Sequence, residues 1–342
     1  MKISVFGCGA WGTAIALLLR DNGYSVTLWS KFEDEASVLR DKRENPFLKG
    51  VDIPRDIMIT SDLSAATNGV GAAMIAVPSF AVRETAEALA GRLDNCVVVS
   101  LSKGIEKDTS RLFAGLLREI FGENTQIASV SGPTHAEEVA RRVPTACVSA
   151  SNDLAVAERV QGILMNDNFR VYTSTDVIGV ELGAALKNVI ALSAGVCDGL
   201  GFGDNTTATL MTRGLAEIAE LCVKMGGRKE TLAGLAGLGD LIVTCMSKHS
   251  RNRRAGVLIG KGMSAEEAMY EVGAVVEGYY AAKAARGLAE KMGVDMPICL
   301  ETYRVLFDGK SPHEAMRDLM RRRRKSEHAT GEETWVSLTI DN

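Results

Sequence analysis

The chain opens MKISVFGCGAWGTAIALLL (residues 1–19), in which Gly7, Gly9 and Gly12 follow a short apolar run. A G-x-G-x-x-G spacing alone is a weak signal, because glycine turns are common, so its context decides the reading. Residues 3–6 read as a β-strand, residues 14–22 as an apolar helix closed by Gly23, and SVTLW at 25–29 as a second strand. That is the βαβ setting of a dinucleotide-binding fold. There Gly7 permits the tight turn, Gly9 lets the backbone approach a pyrophosphate, and Gly12 lets helix pack on strand. The free N–H groups and positive pole of the helix then face the phosphates. The alternative is a structural turn that binds nothing.

Working outward, short β-branched runs recur at 72–77, 96–101, 127–130 and 146–149, separated by helical stretches. Strands that alternate with helices predict a mostly parallel sheet with right-handed crossovers. After about Asp176 long helical segments take over, among them VELGAALKNVIALSAGV and EGYYAAKAARGLAEKMG. The expectation is an α/β chain: a Rossmann-type, mostly parallel sheet over residues 1–178, an all-helical substrate domain over 179–325, and a loosely held tail over 326–342.

The bulk numbers bound the partners. At 342 residues and 46% hydrophobic content, two domains and a large core are expected. With 39 basic and 43 acidic residues the net charge is −4, which gives no reason to expect nucleic acid or an anionic membrane as the main partner. Seven cysteines, with no C-x-x-C pair, read as free buried thiols in a reducing compartment. Four scattered histidines offer no H-x-x-x-H pair, so no metal site is expected. The first residues meet the glycines with no cleavage region following, unlike a signal peptide. No apolar run approaches the ~20 residues of a membrane span. These features predict a cytoplasmic protein without stable membrane insertion. The run Arg321, Arg322, Arg323, Arg324 and Lys325 reads as a solvated helix end, where cations favour the negative pole, or else as an anion-binding patch.

The tip of the second strand bears on cofactor choice. NAD-selective folds set an acid there to hold the ribose hydroxyls. Here the strand ends Trp29-Ser30-Lys31, and the nearest acids are Glu33 and Asp34. A lysine attracts a 2′-phosphate, so NADP is expected beside NAD, with NADPH slightly favoured, unless Lys31 merely faces solvent.

In such sheets ligands bind beyond the carboxyl ends of the strands. VVVSLSKGIE sets Lys103 there, as a ligand contact or an ordinary surface lysine. In SGPTHAEEVA, Thr134 and Glu137 have capping-box spacing, with Gly132, Thr134 and Ala136 available at a helix N-terminus. Lys187 has Gly183, Ala184, Ile190 and Ala191 as its helical neighbours. A lysine on such a face either snorkels to solvent or is desolvated, which lowers its pKa toward proton-transfer work. Asp240, in GLAGLGDLIV, is a candidate partner for Lys187 or a helix cap. Ser250 can cap a helix whose first residues, Arg251 and Asn252, would meet a phosphate. Arg253 and Arg254 add field or face solvent. Val275 and Glu277 gain no role from physical reasoning alone.

In order along the chain, GCGAWGTA, VPS, SLSKGIE, SGPTHAEEVA, ELGAALKNVIA, GLGDLIVTC and SRNRR resemble bacterial NAD(P)-dependent glycerol-3-phosphate dehydrogenases over about residues 1–325. The resemblance implies a homodimer that reversibly reduces dihydroxyacetone phosphate to sn-glycerol 3-phosphate for glycerophospholipid synthesis. It implies that Lys187 transfers the proton; the reading of Asp240 as its orienting partner makes Lys187 and Asp240 the candidate catalytic pair. Lys103, Gly132, Thr134, Lys187, Asp240, Ser250, Arg251 and Asn252 would contact substrate. Gly7, Gly9, Ala10, Trp11, Gly12, Lys31, Lys103, Ala136, Arg251, Val275 and Glu277 would contact the cofactor. Ala10 replaces a usual serine, and NPFLKGVDIP, with Phe47, is a loose match to the family pattern. A reductase of β-hydroxy acids and a non-catalytic nucleotide sensor are the rival readings.

Overall fold

A computed structural model gives the fold, and it describes residues 1–107, 109–324 and 326–327. The first half is built from β1 (Lys2–Phe6), α1 (Ala10–Asp21), β2 (Ser25–Trp29), α2 (Glu33–Lys42), β3 (Met58–Thr60), α3 (Leu63–Thr67) and β4 (Val70–Ile75). It continues through α4 (Val82–Leu89), β5 (Val97–Ser100), α5 (Phe113–Phe121), β6 (Ile127–Ser131), α6 (Ala136–Val139), β7 (Thr145–Ala150), α7 (Leu154–Leu164) and β8 (Phe169–Ser174). The eight strands form one sheet in the order β3-β2-β1-β4-β5-β6-β7-β8. All neighbours are parallel except β6 and β7. The order reverses between β1 and β4, so a crevice opens at their carboxyl ends.

Helices cover both faces of the sheet, which is why its strands read as continuous apolar runs rather than alternating ones. Val97 and Val99 enter one core layer and Val98 the other. The glycine turn follows the predicted logic, with α1 starting earlier than expected, at Ala10. Gly7 has φ +116°, and its N–H donates to the Trp29 carbonyl at 2.9 Å. A Cβ on Gly12 would lie 1.8 Å from the Gly7 carbonyl oxygen, so only glycine lets α1 close on the turn.

The second half is helical: α8 (Val177–Gly199), α9 (Asp204–Lys224), α10 (Lys229–Leu232), α11 (Asp240–Met246) and α12 (Arg251–Gly260), then α13 (Ala265–Val272), α14 (Glu277–Met292), α15 (Pro297–Phe307) and α16 (Pro312–Met320). α8 is the axis of this half. Contrary to the sequence expectation, it is long and apolar enough to cross a membrane, but it is nearly all buried within the protein. It packs chiefly against α9, α11, α12 and α14.

α8 and α12 meet backbone to backbone. A Cβ on Gly256 would lie 2.0 Å from the Leu192 carbonyl, and one on Gly195 would lie 2.1 Å from the Arg253 carbonyl. This approach sets the N-terminus of α12 beside the middle of α8. Gly256→Val is expected to force the helices apart and cost about 3 kcal/mol or more. Denaturant unfolding reads it, and a midpoint equal to that of the parent would refute the close packing.

All seven cysteines are buried and unpaired. The basic run starts where α16 ends, with Arg321 as its C-cap and Arg322 paired to Asp295 at 2.5 Å. Lys325 and most of the tail, residues 328–342, lie outside the described residues.

Candidate active site

Lys187 sits mid-way along α8 and is 5% exposed. It does not snorkel. Its Nζ donates to Thr244 Oγ1 at 2.5 Å and pairs with Asp240 Oδ1 at 2.9 Å. Asp240, 2% exposed, is the first residue of α11. One π-helical turn, Leu235–Gly239, delivers it. Gly183 lets that turn approach α8, since a Cβ there would lie 2.8 Å from the Ala236 carbonyl. The other carboxylate oxygen, Oδ2, holds Lys103 Nζ at 2.7 Å. Lys103 follows β5 and also donates to the Gly132 carbonyl at 2.9 Å and to Thr134 Oγ1 at 3.5 Å. One buried carboxylate therefore carries two ammonium groups, one per oxygen, and the cluster has a net charge of about +1.

The electrostatics follow from burial. Burial pushes the Lys187 pKa down to about 8, against the attraction of Asp240 and with the help of Lys103. Burial alone would raise the Asp240 carboxyl, but the two lysines outweigh it and hold it below the usual range. A lysine near 8 exchanges protons within the working range of an enzyme.

Two residues that sequence reasoning passed over complete this cluster. The Thr244 hydroxyl accepts from Lys187 and donates to the Asp240 carbonyl at 2.6 Å, one helical turn back. It fixes both charged groups at once. Asn188, next to Lys187, accepts from Asn252 Nδ2 at 2.9 Å, while Asn252 Oδ1 accepts from the Gly278 N–H at 2.8 Å. Asn252 is thus clamped between α8 and α14.

The phosphate-type features gather at α12. Ser250 Oγ caps the helix by accepting from the Arg253 N–H at 3.2 Å, as its position predicts. Arg251 is exposed on the first turn. Arg253 is committed to Asp198 at 2.7 Å. Glu277 starts α14 and accepts from the Ser79 N–H at 3.1 Å, tying this half to the connection after β4. Burial raises its carboxyl pKa, opposed first by the hydrogen bonding with Ser79 and then by Arg251. Val275 precedes it, half-buried.

The Thr134–Glu137 capping box does not form. α6 starts at Ala136 with His135 as N-cap and no side-chain cap, and Thr134 Oγ1 turns to the Gly132 carbonyl at 3.1 Å. Lys103 competes for the same hydroxyl, which is why Thr134 faces the cluster instead of the helix. Among the described residues four buried side-chain polar atoms lack a partner: Ser100 Oγ, Glu181 Oε2, Ser131 Oγ and His135 Nε2, the last two lying at and just after the end of β6. Ser131 and His135 flank Gly132 and Thr134, where a polar ligand would complete them.

The turn after β1 fits a dinucleotide. A Cβ on Gly9 would meet nothing within 4 Å, so the backbone faces open space at the N-terminus of α1. Ala10 is the first helical residue. Trp11 Nε1 donates to the Leu101 carbonyl at 3.2 Å, bridging the turn to the segment that bears Lys103. Lys31 ion-pairs with Glu84, both being exposed. No cluster of metal-ligating side chains exists among the described residues.

The chain is similar to known proteins over nearly its whole length. Residues 2–157 match the family model of the NAD-dependent glycerol-3-phosphate dehydrogenase N-terminus, and residues 176–317 match that of the C-terminus. Glycerol-3-phosphate dehydrogenase (NAD(P)+) of Thermoanaerobacter sp. is 51% identical over 328 residues, covering 96% of this chain and 99% of that one. The protein of that name from Moorella thermoacetica is 50% identical, covering 97% and 99%. The crystal structure of glycerol-3-phosphate dehydrogenase from Coxiella burnetii superposes with TM-score 0.91 at 37% identity, covering 94% of this chain and 99% of that one.

Proposed function

The chain belongs to the NAD-dependent glycerol-3-phosphate dehydrogenase family, and from that premise we propose how its residues divide the work. It is an oxidoreductase that interconverts dihydroxyacetone phosphate and sn-glycerol 3-phosphate with NAD(P). When bound, the dinucleotide supplies the hydride for C2 of the ketone in the reducing direction. Lys187 gives its proton to the oxygen on C2 as that oxygen gains charge, then recovers a proton from solvent. The observation that carries this role is the buried Lys187 paired to Asp240 at 2.9 Å, with its pKa lowered to about 8.

Asp240 orients Lys187 and keeps it charged enough to donate. Lys103 adds positive charge beside the same oxygen, and Gly132 and Thr134 shape the site around it. Arg251, with Ser250, Asn252 and the N-terminus of α12, grips the phosphate and so fixes C2 for transfer. Gly7, Gly9, Ala10 and Gly12 cradle the pyrophosphate, and Trp11, Lys103, Ala136, Arg251, Val275 and Glu277 meet the rest of the cofactor. Lys31 favours NADPH slightly by attracting a 2′-phosphate once it leaves Glu84. Residues 1–178 form the cofactor domain and 179–325 the substrate domain. The protein acts in the cytoplasm, where its free thiols stay reduced and its product feeds glycerophospholipid synthesis. It is a homodimer, which its molar mass in solution checks.

The phosphate grip gives the direct test. NADPH oxidation is expected with dihydroxyacetone phosphate, at a kcat/KM about a thousandfold above that with dihydroxyacetone, since the unphosphorylated ketone leaves Arg251 unpaired. Equal use of both ketones would favour a reductase of another substrate class. No oxidation with either would favour a nucleotide sensor.

A further inference from the structure

The tip of β2 carries no acid in the sequence, yet a carboxylate reaches it in the fold. Glu35 lies in the first turn of α2, and its Oε2 accepts from Ser30 Oγ at 2.7 Å. The same oxygen is 3.4 Å from the Cys8 thiol, between Gly7 and Gly9 of the turn. Ser30 Oγ is itself fixed, accepting from the Phe32 N–H at 3.2 Å. The carboxylate is therefore tied at once to the residue after β2 and to the middle of the glycine turn. In a dinucleotide fold this angle is where the adenosine ribose hydroxyls lie.

The neighbouring charges sort themselves around it. Glu33 is turned away, engaged by Arg40 and Ser61. Lys31 leans toward α4 and Glu84. Glu35 is exposed, so a ligand can approach its carboxylate. Its contacts with Ser30 and Cys8 hold a carboxylate of α2 against the turn, while the Lys31 ammonium at the strand tip is paired to Glu84.

We infer that Glu35 reads the ribose end of the cofactor: it accepts from ribose hydroxyls and opposes a 2′-phosphate, so that NAD(H) stays usable against the pull of Lys31. This rests on the dinucleotide reading of the turn and deepens it. A 2′-phosphate beside a carboxylate is a like-charge contact, and its repulsion falls as salt screens it. The Cys8 thiol and Ser30 hydroxyl act only as the tether that aims the carboxylate.

The test uses the full-length protein, with dissociation constants for NADPH and NADH measured by titration calorimetry and kcat/KM measured with each. Glu35→Gln removes charge at constant size. It is expected to shift the ratio of the two dissociation constants about tenfold toward NADPH, and the shift should shrink in high salt. Ser30→Ala, which cuts the tether, is expected to shift the ratio the same way by less. An unchanged ratio in Glu35→Gln overturns the inference. So does a loss of affinity that is equal for both cofactors, which would mark Glu35 as a support for α2. If the parent protein binds neither dinucleotide, the cofactor reading itself falls, a result separable from both.

Discussion

Lys187→Met is expected to lower kcat for dihydroxyacetone phosphate reduction by about four orders of magnitude while leaving NADPH affinity near that of the parent. Methionine nearly matches the lysine in length and suits a buried position, so α8 keeps its packing. Asp240 keeps Lys103 as partner at 2.7 Å, so no carboxylate is stranded. What disappears is the proton and the positive charge beside the C2 oxygen. The pH profile identifies the group. With a pKa of about 8, Lys187 is charged below that pH and neutral above it. Reduction needs the charged form, so its rate should fall as pH rises through about 8. Oxidation of glycerol 3-phosphate needs the neutral form and should rise through the same pH. Both limbs should vanish in Lys187→Met. Near-parental turnover, or limbs that persist in the variant, would remove Lys187 from the role.

How far this site was legible depends on the range of each signal. The βαβ reading succeeded because glycine spacing, strand and helix lie within about thirty residues and steric need forces the turn. Lys187 was legible because its small helical neighbours imply a buried face whatever the rest of the fold does. Its pairing with Asp240, 53 positions on, was an open option in the sequence that the π-helical turn settles. Thr244 and Asn188 gave no signal of their own: a threonine in an apolar run and an asparagine after a lysine acquire meaning only when α8, α11 and α12 converge. The capping box at Thr134 failed for a related reason. Local spacing favoured the box, but Lys103, arriving from another strand, offered the hydroxyl a different partner. Glu35 was missed because the acid was sought at the strand tip, while the fold brings it back from the next helix. Short-range patterns thus gave the frame, and the residues that tune the chemistry came from contacts between elements distant in sequence.

Asp240→Asn should have the second largest effect, and for a different reason. The carboxylate separates two ammonium groups, Lys187 on Oδ1 and Lys103 on Oδ2. An amide of the same shape can accept from one lysine, but it turns its own N–H donors toward the other. Two like charges then share a buried site with nothing between them, and Lys187, the more buried, yields its proton. The expected loss in kcat is about a thousandfold at neutral pH, with a stability loss of about 3 kcal/mol, limited because Lys187 can escape by becoming neutral. The sign of the pH shift is fixed by the charges. Asp240 raises the Lys187 pKa and Lys103 lowers it, so without the carboxylate the limb at about 8 must move to lower pH. Part of the lost reduction rate should therefore return as the assay is made more acidic, which cannot happen in Lys187→Met. Oxidation, which uses the neutral lysine, should suffer less than reduction. If kcat falls while the limb stays at about 8, Asp240 orients Lys187 without setting its charge.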